Sequence, residues 1–204
     1  MTARGHDAAT LGFYAKEAEH YAEASNKQGP TKALTRFMAE LPTGARILDL
    51  GCGTGRDTLA MCAAGFNVVP ADGSAEMAAE VAKRGGPPVH VVLFENLEWV
   101  AEFDAVWANA SLLHTPRSAI TDVLRRINRA LKPGGKLFAS FKAGGKEGRD
   151  AFNRYYNYPN RAELTGWLQE SGWAQIEIEE KKGGGYDSKP TDWLDVRALK
   201  EINA

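Results

Sequence analysis

Arg46-Ile47-Leu48-Asp49-Leu50-Gly51-Cys52-Gly53-Thr54-Gly55 is the stretch that decides how this chain folds. Its apolar run reads as a buried strand, and glycines at 51, 53 and 55 turn the chain tightly out of it. A helical pattern follows, with Leu59, Ala60, Ala63 and Ala64 on one side. A strand entering a helix through such a turn offers a ligand bare main chain and a helix N-terminus, as nucleotide sites do. The next strand-like run, Asn67-Val68-Val69-Pro70-Ala71, leads into Asp72. That acid lies about 20 residues beyond the glycines, a separation that suits a carboxylate gripping a ribose diol.

The spacing narrows the nucleotide. A dinucleotide fingerprint, Gly-x-Gly-x-x-Gly, would need its third glycine at position 56, where this chain has Arg56. No Gly-Lys-Ser/Thr ending makes a phosphate loop. Asp49, two residues before the first glycine, would repel a pyrophosphate but could hold a cationic aminoacyl group.

Outward from this stretch, strand and helix keep alternating. Strands are expected at 46–50, 67–71, 89–93, 103–108, 136–141, 176–179 and 193–199. A helix from about Ser74 to Arg84 closes at Gly85-Gly86-Pro87-Pro88. Another lies between Ser118 and Leu131, where Ile120, Val123, Leu124, Ile127 and Leu131 form an apolar stripe with Arg125, Arg126 and Arg129 off it, facing solvent. Lys132-Pro133-Gly134-Gly135 stops that helix. Asn160 caps a helix to Ser171, with Glu163 completing a capping-box pattern. The last two strands have no helix between them, so they pair antiparallel across the glycine loop at 183–185. The expected fold is α/β: a doubly wound, mostly parallel seven-stranded sheet with helices on both faces and a C-terminal antiparallel pair. Two helices precede it in the first forty or so residues.

Composition fits one globular domain over residues 1–204, with 44% apolar and 25% charged residues. A formal net charge of −1 argues against broad binding to nucleic acid or membrane. Cys52 and Cys62 make neither a disulfide framework nor a metal spacing. The N-terminus is polar, without an apolar signal core, and no apolar run approaches the roughly 18 residues of a membrane span. A cytoplasmic location is expected.

The phrase Leu48-Asp49-Leu50-Gly51-Cys52-Gly53-Thr54-Gly55 closely resembles the first motif of class I S-adenosylmethionine-dependent methyltransferases. Gly51 to Asp57, Asp72-Gly73-Ser74, Ser140-Phe141-Lys142 and Trp193-Leu194 resemble the small bacterial tellurite-resistance-type subgroup. The resemblance implies a Rossmann-like sheet ending in an antiparallel pair, S-adenosylmethionine as cofactor, and a small-molecule acceptor. It places Gly51, Cys52 and Gly53 against the aminoacyl part, Asp49 at its amino group and Arg56 near its carboxylate. Asp72 would take the ribose hydroxyls, with Gly73 and Met77 flanking sugar and adenine. Phe94 and Glu95 would line the adenine pocket, and Asn109 and Ala110 would close over the methionine portion. Tyr14 and Tyr21, seven apart on the first helix, would fold over the same site; the N-terminal helices within 1–42 are expected to cover it.

Two further features bear on the acceptor. His114 follows the fourth strand, where a histidine titrating near neutrality can take a proton from a nucleophile or, equally, cap the loop before Pro116. The segment after the fifth strand, 142–160, is glycine-rich and aromatic. Counted from Lys142 to Arg161, Lys142, Lys146, Arg149, Arg154 and Arg161 outnumber Glu147 and Asp150, which suits a lid over a small anionic oxyacid. The competing functions are a nicotinamide-dependent oxidoreductase and a non-catalytic S-adenosylmethionine-binding protein.

Overall fold

The computed structural model describes residues 5–25, 29–186 and 190–202; the outermost ends of the 1–204 span lie outside the described residues. Helices α1 (Ala8–Ser25) and α2 (Lys32–Ala39) precede β1 (Arg46–Leu50), α3 (Arg56–Ala63), β2 (Asn67–Asp72), α4 (Ala75–Lys83) and β3 (His90–Val91). Then come β4 (Phe103–Ala108), α5 (Ile120–Ala130), β5 (Leu131–Lys142), the short β6 (Gly148–Arg149) and β7 (Tyr155–Tyr156), α6 (Arg161–Glu170), β8 (Trp173–Gly183) and β9 (Thr191–Lys200). The seven-stranded sheet runs β3-β2-β1-β4-β5-β9-β8. Its first five strands are parallel, and β9 is antiparallel to both neighbours. This is the expected mostly parallel sheet with a C-terminal antiparallel pair.

Alternation along β1 splits the core into two layers. Leu48 and Leu50 join the apolar face of α5, whose Ile120, Val123, Leu124 and Ile127 are buried, together with Leu164 and Leu168 of α6. Ile47 points the other way, into a cluster with Leu34 and Phe37 of α2, Met61 of α3, and Trp107 and Phe138. The Trp107 and Phe138 rings stack with centroids 4.1 Å apart. Ser74 caps α4 by accepting the Met77 N–H, and Asn160 and Glu163 form the capping box of α6. Glu163 also pairs with Arg117 at 2.7 Å.

Several boundaries differ from the sequence reading. The strand expected at 89–93 shrinks to His90–Val91, because an edge strand pairs only with β2 and its apolar successors line a cavity instead. β5 starts at Leu131, with a register irregularity opposite Phe103–Ala105 that absorbs Pro133 and the two glycines. β8 starts at Trp173 and is irregular between Ala174 and Glu177, where Gln175 has φ +47°. The buried side of α3 is Asp57, Thr58 and Met61; Ala63 and Ala64 are exposed. Arg126 and Arg129 are not simply solvated, since both donate to the Leu97 carbonyl. Among the described residues, no helix is long and apolar enough to cross a membrane.

Candidate active site

The carboxyl ends of β1, β2, β4 and β5 open into one cavity of about 1130 Å³, at the point where the strand order reverses between β1 and β4. Helix α1 lies across it through Leu11, Tyr14 and Tyr21. By contrast, α2 packs Leu34 and Phe37 into the core and reaches the cavity through its cap residue Thr31, so most of the helical cover comes from α1.

The glycine turn forms its floor. Gly51 has φ +75°, and a Cβ there would stand 2.3 Å from the Ser111 Cβ, so the residue must be glycine to let the β4 loop approach. The Ser111 hydroxyl donates to the Leu50 carbonyl at 2.7 Å and locks that approach. Gly53, at φ +54°, faces open space, and its N–H donates to Asp72 Oδ2 at 2.9 Å. Asp72 Oδ1 accepts the Ser74 N–H, also at 2.9 Å. Both oxygens of Asp72 are thereby oriented while each keeps a lone pair for a ligand. Burial raises its pKa against the lowering effect of these N–H groups.

Asp49 lies on the α3 side of β1 and accepts the Thr58 hydroxyl at 2.5 Å. Burial first, and the Asp57 charge second, push its pKa up to about 8. Asp57 was missed by the sequence reading, which took α3 for its apolar pattern, yet it organises this end of the cavity. Its carboxylate accepts the Trp107 indole N–H (2.9 Å), the Asn109 amide (3.2 Å) and Arg56 Nε (2.7 Å). Asn109 Oδ1 in turn accepts the Ser140 hydroxyl, whose oxygen accepts the Ala110 N–H. The Asn109 side chain therefore props its loop, with Ala110 strained at φ +53°. Burial pushes the Cys52 thiol up, keeping it uncharged.

Of the fifteen residues singled out from sequence, fourteen line this cavity: Tyr14, Tyr21, Asp49, Gly51, Cys52, Gly53, Arg56, Asp72, Gly73, Met77, Phe94, Asn109, Ala110 and His114. Glu95 does not. It sits in a short 3-10 turn (Phe94–Asn96) and pairs with His6 at 2.7 Å, so Val92 and Leu93 take its place beside Phe94 as wall.

At the β5 end, His114 Nδ1 lies 2.6 Å from the Tyr155 carbonyl. That oxygen can only accept, so Nδ1 carries the proton and Nε2 accepts from Tyr14 Oη at 2.9 Å. Burial pushes the imidazole pKa down to about 4. The expectation of titration near neutrality is thus corrected: this imidazole is neutral at pH 7, and its lone pair is engaged. Arg154 donates to Tyr14 Oη at 3.2 Å and pairs with Asp150 at 2.6 Å, with its side chain only 1% exposed. The rings of Phe13, Tyr14, Phe152, Tyr156 and Tyr186 surround its guanidinium at 4.8–5.7 Å. The surplus charge expected from Lys142 to Arg161 is largely neutralised, since Arg149 pairs with Asp7 and Arg161 with Glu180. Arg149 does not line the cavity, whereas Lys142, Arg154, Lys181 and Lys182 do.

Known proteins are similar to this chain in sequence and in fold. Residues 47–135 match the model of a methyltransferase domain. The chain is 31% identical to a ubiquinone biosynthesis O-methyltransferase of Xanthomonas axonopodis pv. citri, over 87% of this chain and 84% of that one. It shares its fold with Burkholderia thailandensis 1,6-didemethyltoxoflavin-N1-methyltransferase, solved with S-adenosylhomocysteine, at TM-score 0.75, 23% identity, and 95% and 88% coverage. Haemonchus contortus phosphoethanolamine N-methyltransferase 2, solved with S-adenosylmethionine, is similar at TM-score 0.69, 21% identity, and 83% and 51% coverage. A nicotinamide-dependent oxidoreductase is set aside by this kinship. With its glycine turn, sheet order and relatives in agreement, the chain belongs to the class I S-adenosylmethionine-dependent methyltransferases.

Proposed function

We propose that this enzyme methylates oxygen on a small anionic acceptor, an oxyacid or comparable acidic hydroxyl compound. The observation that carries this reading is the separation of charge within one cavity. Asp49, Asp57 and Asp72 line it over β1, α3 and β2, with Arg56 paired to Asp57 as the one cation there among the described residues, while Lys142, Arg154, Lys181 and Lys182 line it over β5 and the segments beyond. The acidic end suits a methyl donor carrying an ammonium and a sulfonium; the basic end suits an anion. Oxygen as acceptor atom is supported by the O-methyltransferase relative.

In this reading Asp72 holds the ribose diol, with Gly73 beside it, and Gly53 leaves room for the aminoacyl part. Asp49 faces the ammonium and Arg56 the carboxylate. Met77, Leu93 and Phe94 form the adenine wall. Tyr14 and Tyr21 roof the donor, and the propped Asn109–Ala110 loop borders its methionine portion. When bound, the donor supplies an already activated methyl group, which leaves alignment as the protein's main task. His114 stands at the reactive edge. The 142–160 segment, fastened to α1, forms the lid. A single domain acting in the cytoplasm on a small molecule, and the tellurite-resistance-type likeness of four short phrases, belong to the same proposal; those phrases name no acceptor.

The test is release of S-adenosylhomocysteine with matched anionic, neutral and cationic acceptors. A preference for anions is expected. Preference for a neutral or cationic acceptor refutes the reading.

A further inference from the structure

We infer that Asp57 is a positioning residue that aligns two parts of the methyl donor at once. One carboxylate oxygen holds the arm that meets the donor's carboxylate, and the other holds the loop that borders its methionine portion, where the methyl is carried. This rests on the donor placement proposed above and adds the group that couples its parts.

Asp57 is the second residue of α3, is 7% exposed and lines the cavity. An acid in the first turn of a helix suits the helix dipole, but that role asks for no further partners. Asp57 has three, each an N–H donor. Its Oδ1 accepts from Arg56 Nε at 2.7 Å, and its Oδ2 accepts from Trp107 Nε1 at 2.9 Å and Asn109 Nδ2 at 3.2 Å. The indole is a fixed point: fully buried, stacked on Phe138 and tilted against Phe37, with centroids 4.1 and 5.0 Å away. It pins Oδ2, and the rigid carboxylate then sets where Arg56 and Asn109 stand.

From Asn109 the contacts run on into the loop. Asn109 Oδ1 accepts the Ser140 hydroxyl at 2.8 Å, and the Ser140 oxygen accepts the Ala110 N–H at 2.7 Å. With its amide engaged at both ends, Asn109 has one orientation. Ala110, at φ +53°, adopts left-handed backbone that a side chain disfavours, and this bond holds it there. The relay therefore runs from Asp57 through Asn109 and Ser140 to Ala110, which lines the cavity. A methyl group is transferred in line, so its direction within the bound donor must be kept, and fixing arm and loop from one group keeps it.

The two oxygens can be separated by substitution. In Asp57→Asn the side chain retains one acceptor oxygen. The arrangement that loses least leaves that oxygen on Trp107 and Asn109 and turns an NH2 onto the Arg56 Nε–H, where two donors meet. The arm is released while the loop stays. Ser140→Ala does the reverse, and Asp57→Ala releases both.

Two readouts follow these parts, and neither needs an acceptor. Calorimetric affinity for S-adenosylhomocysteine reports the arm. The methyl resonance of bound S-adenosylmethionine, isotope-labelled at that methyl, reports the loop. Asp57→Asn should weaken S-adenosylhomocysteine binding about tenfold and leave the methyl resonance at its wild-type position. Ser140→Ala should move the resonance while changing affinity by less than about threefold. Asp57→Ala should do both, and adding Ser140→Ala to it should move the resonance no further. The inference is overturned if Asp57→Asn leaves affinity unchanged, if Ser140→Ala leaves the resonance in place, or if both readouts simply track melting temperature across the variants, as a purely structural role would make them. Should Asp57→Ala not fold, the first two variants decide. If Asp72→Ala leaves S-adenosylhomocysteine affinity unchanged, the donor placement fails and this inference with it. If Asp72→Ala weakens binding while Asp57→Asn and Ser140→Ala match wild type, this inference alone fails.

Discussion

Replacing Asp49 by Asn isolates what it costs to keep an acid on the cavity floor. The side chain is buried, and its pKa is pushed from 3.8 to about 8. The unfolded chain loses this proton near pH 3.8, whereas the folded chain holds it to about pH 8. Between those values the folded state binds the extra proton, so its stability falls as pH rises through the window. At about 1.4 kcal/mol per unit, four units come to roughly 6 kcal/mol. Screening at a realistic protein dielectric halves this to about 3 kcal/mol. Asn carries no such proton and still accepts the Thr58 hydroxyl through its amide oxygen. For a domain of this size, about 3 kcal/mol is roughly 6–12 °C in melting temperature. Calorimetric melting of the cofactor-free protein should therefore show Asp49→Asn more stable than wild type by that amount at pH 8, with the gain shrinking to about 2 °C or less near pH 4.5. At pH 8 the same variant should bind S-adenosylhomocysteine more weakly, so stability and binding move in opposite directions. Melting curves that stay parallel across this pH range would refute the reasoning, since Asp49 would then be ionised in both states.

Asp72→Ala removes the carboxylate assigned to the ribose diol and the tether on the Gly53 N–H. Donor affinity should fall about ten- to a thousandfold by titration calorimetry, at about 1.4 kcal/mol per decade, and an unchanged affinity would contradict its role. Gly51→Ala combines a left-handed backbone with a 2.3 Å approach to Ser111, and should destabilise the fold by about 2–4 kcal/mol in chemical denaturation. Adding Ser111→Gly should recover part of that loss; no recovery would mean the contact is not the cause. Arg154→Met leaves Asp150 without its partner and should cost about 3–5 kcal/mol. Hydrogen exchange should then quicken in α1 and the β6–β7 segment before the central strands, and uniform quickening would argue against a local role.

Residues buried in the middle of the sheet were readable from sequence to within a residue. Arg46–Leu50 and Phe103–Ala108 lie between two partners each, where a short apolar run has no competing use. The edge was harder. Val92, Leu93 and Phe94 are apolar because they wall a cavity, which a pattern of apolar letters does not distinguish from a strand. Gln175 hid the start of β8 by breaking the alternation. In the site, the glycines and Asp72 announced themselves through spacing, because tight turns demand glycine and Asp72 at the end of β2 meets the turn through the Gly53 N–H. Asp57 went unread, and Lys142 and Arg154 were placed over the site without their burial, because a charged letter suggests solvent. Their burial depends on partners far along the chain, such as Trp107 for Asp57 and Tyr14 for Arg154.

The ring-enclosed guanidinium of Arg154 has a kinetic consequence. It touches α1 through Phe13 and Tyr14, the β6–β7 segment through Phe152 and Tyr156, and the β8–β9 connection through Tyr186. No one of these can swing away without disturbing a shared contact, so the three should part together, as one slow event rather than three fast ones. Donor and acceptor would then pass through the same door, and traffic through it, rather than bond making, would set the ceiling on turnover; a pre-steady-state burst of methylated product is the signature to look for.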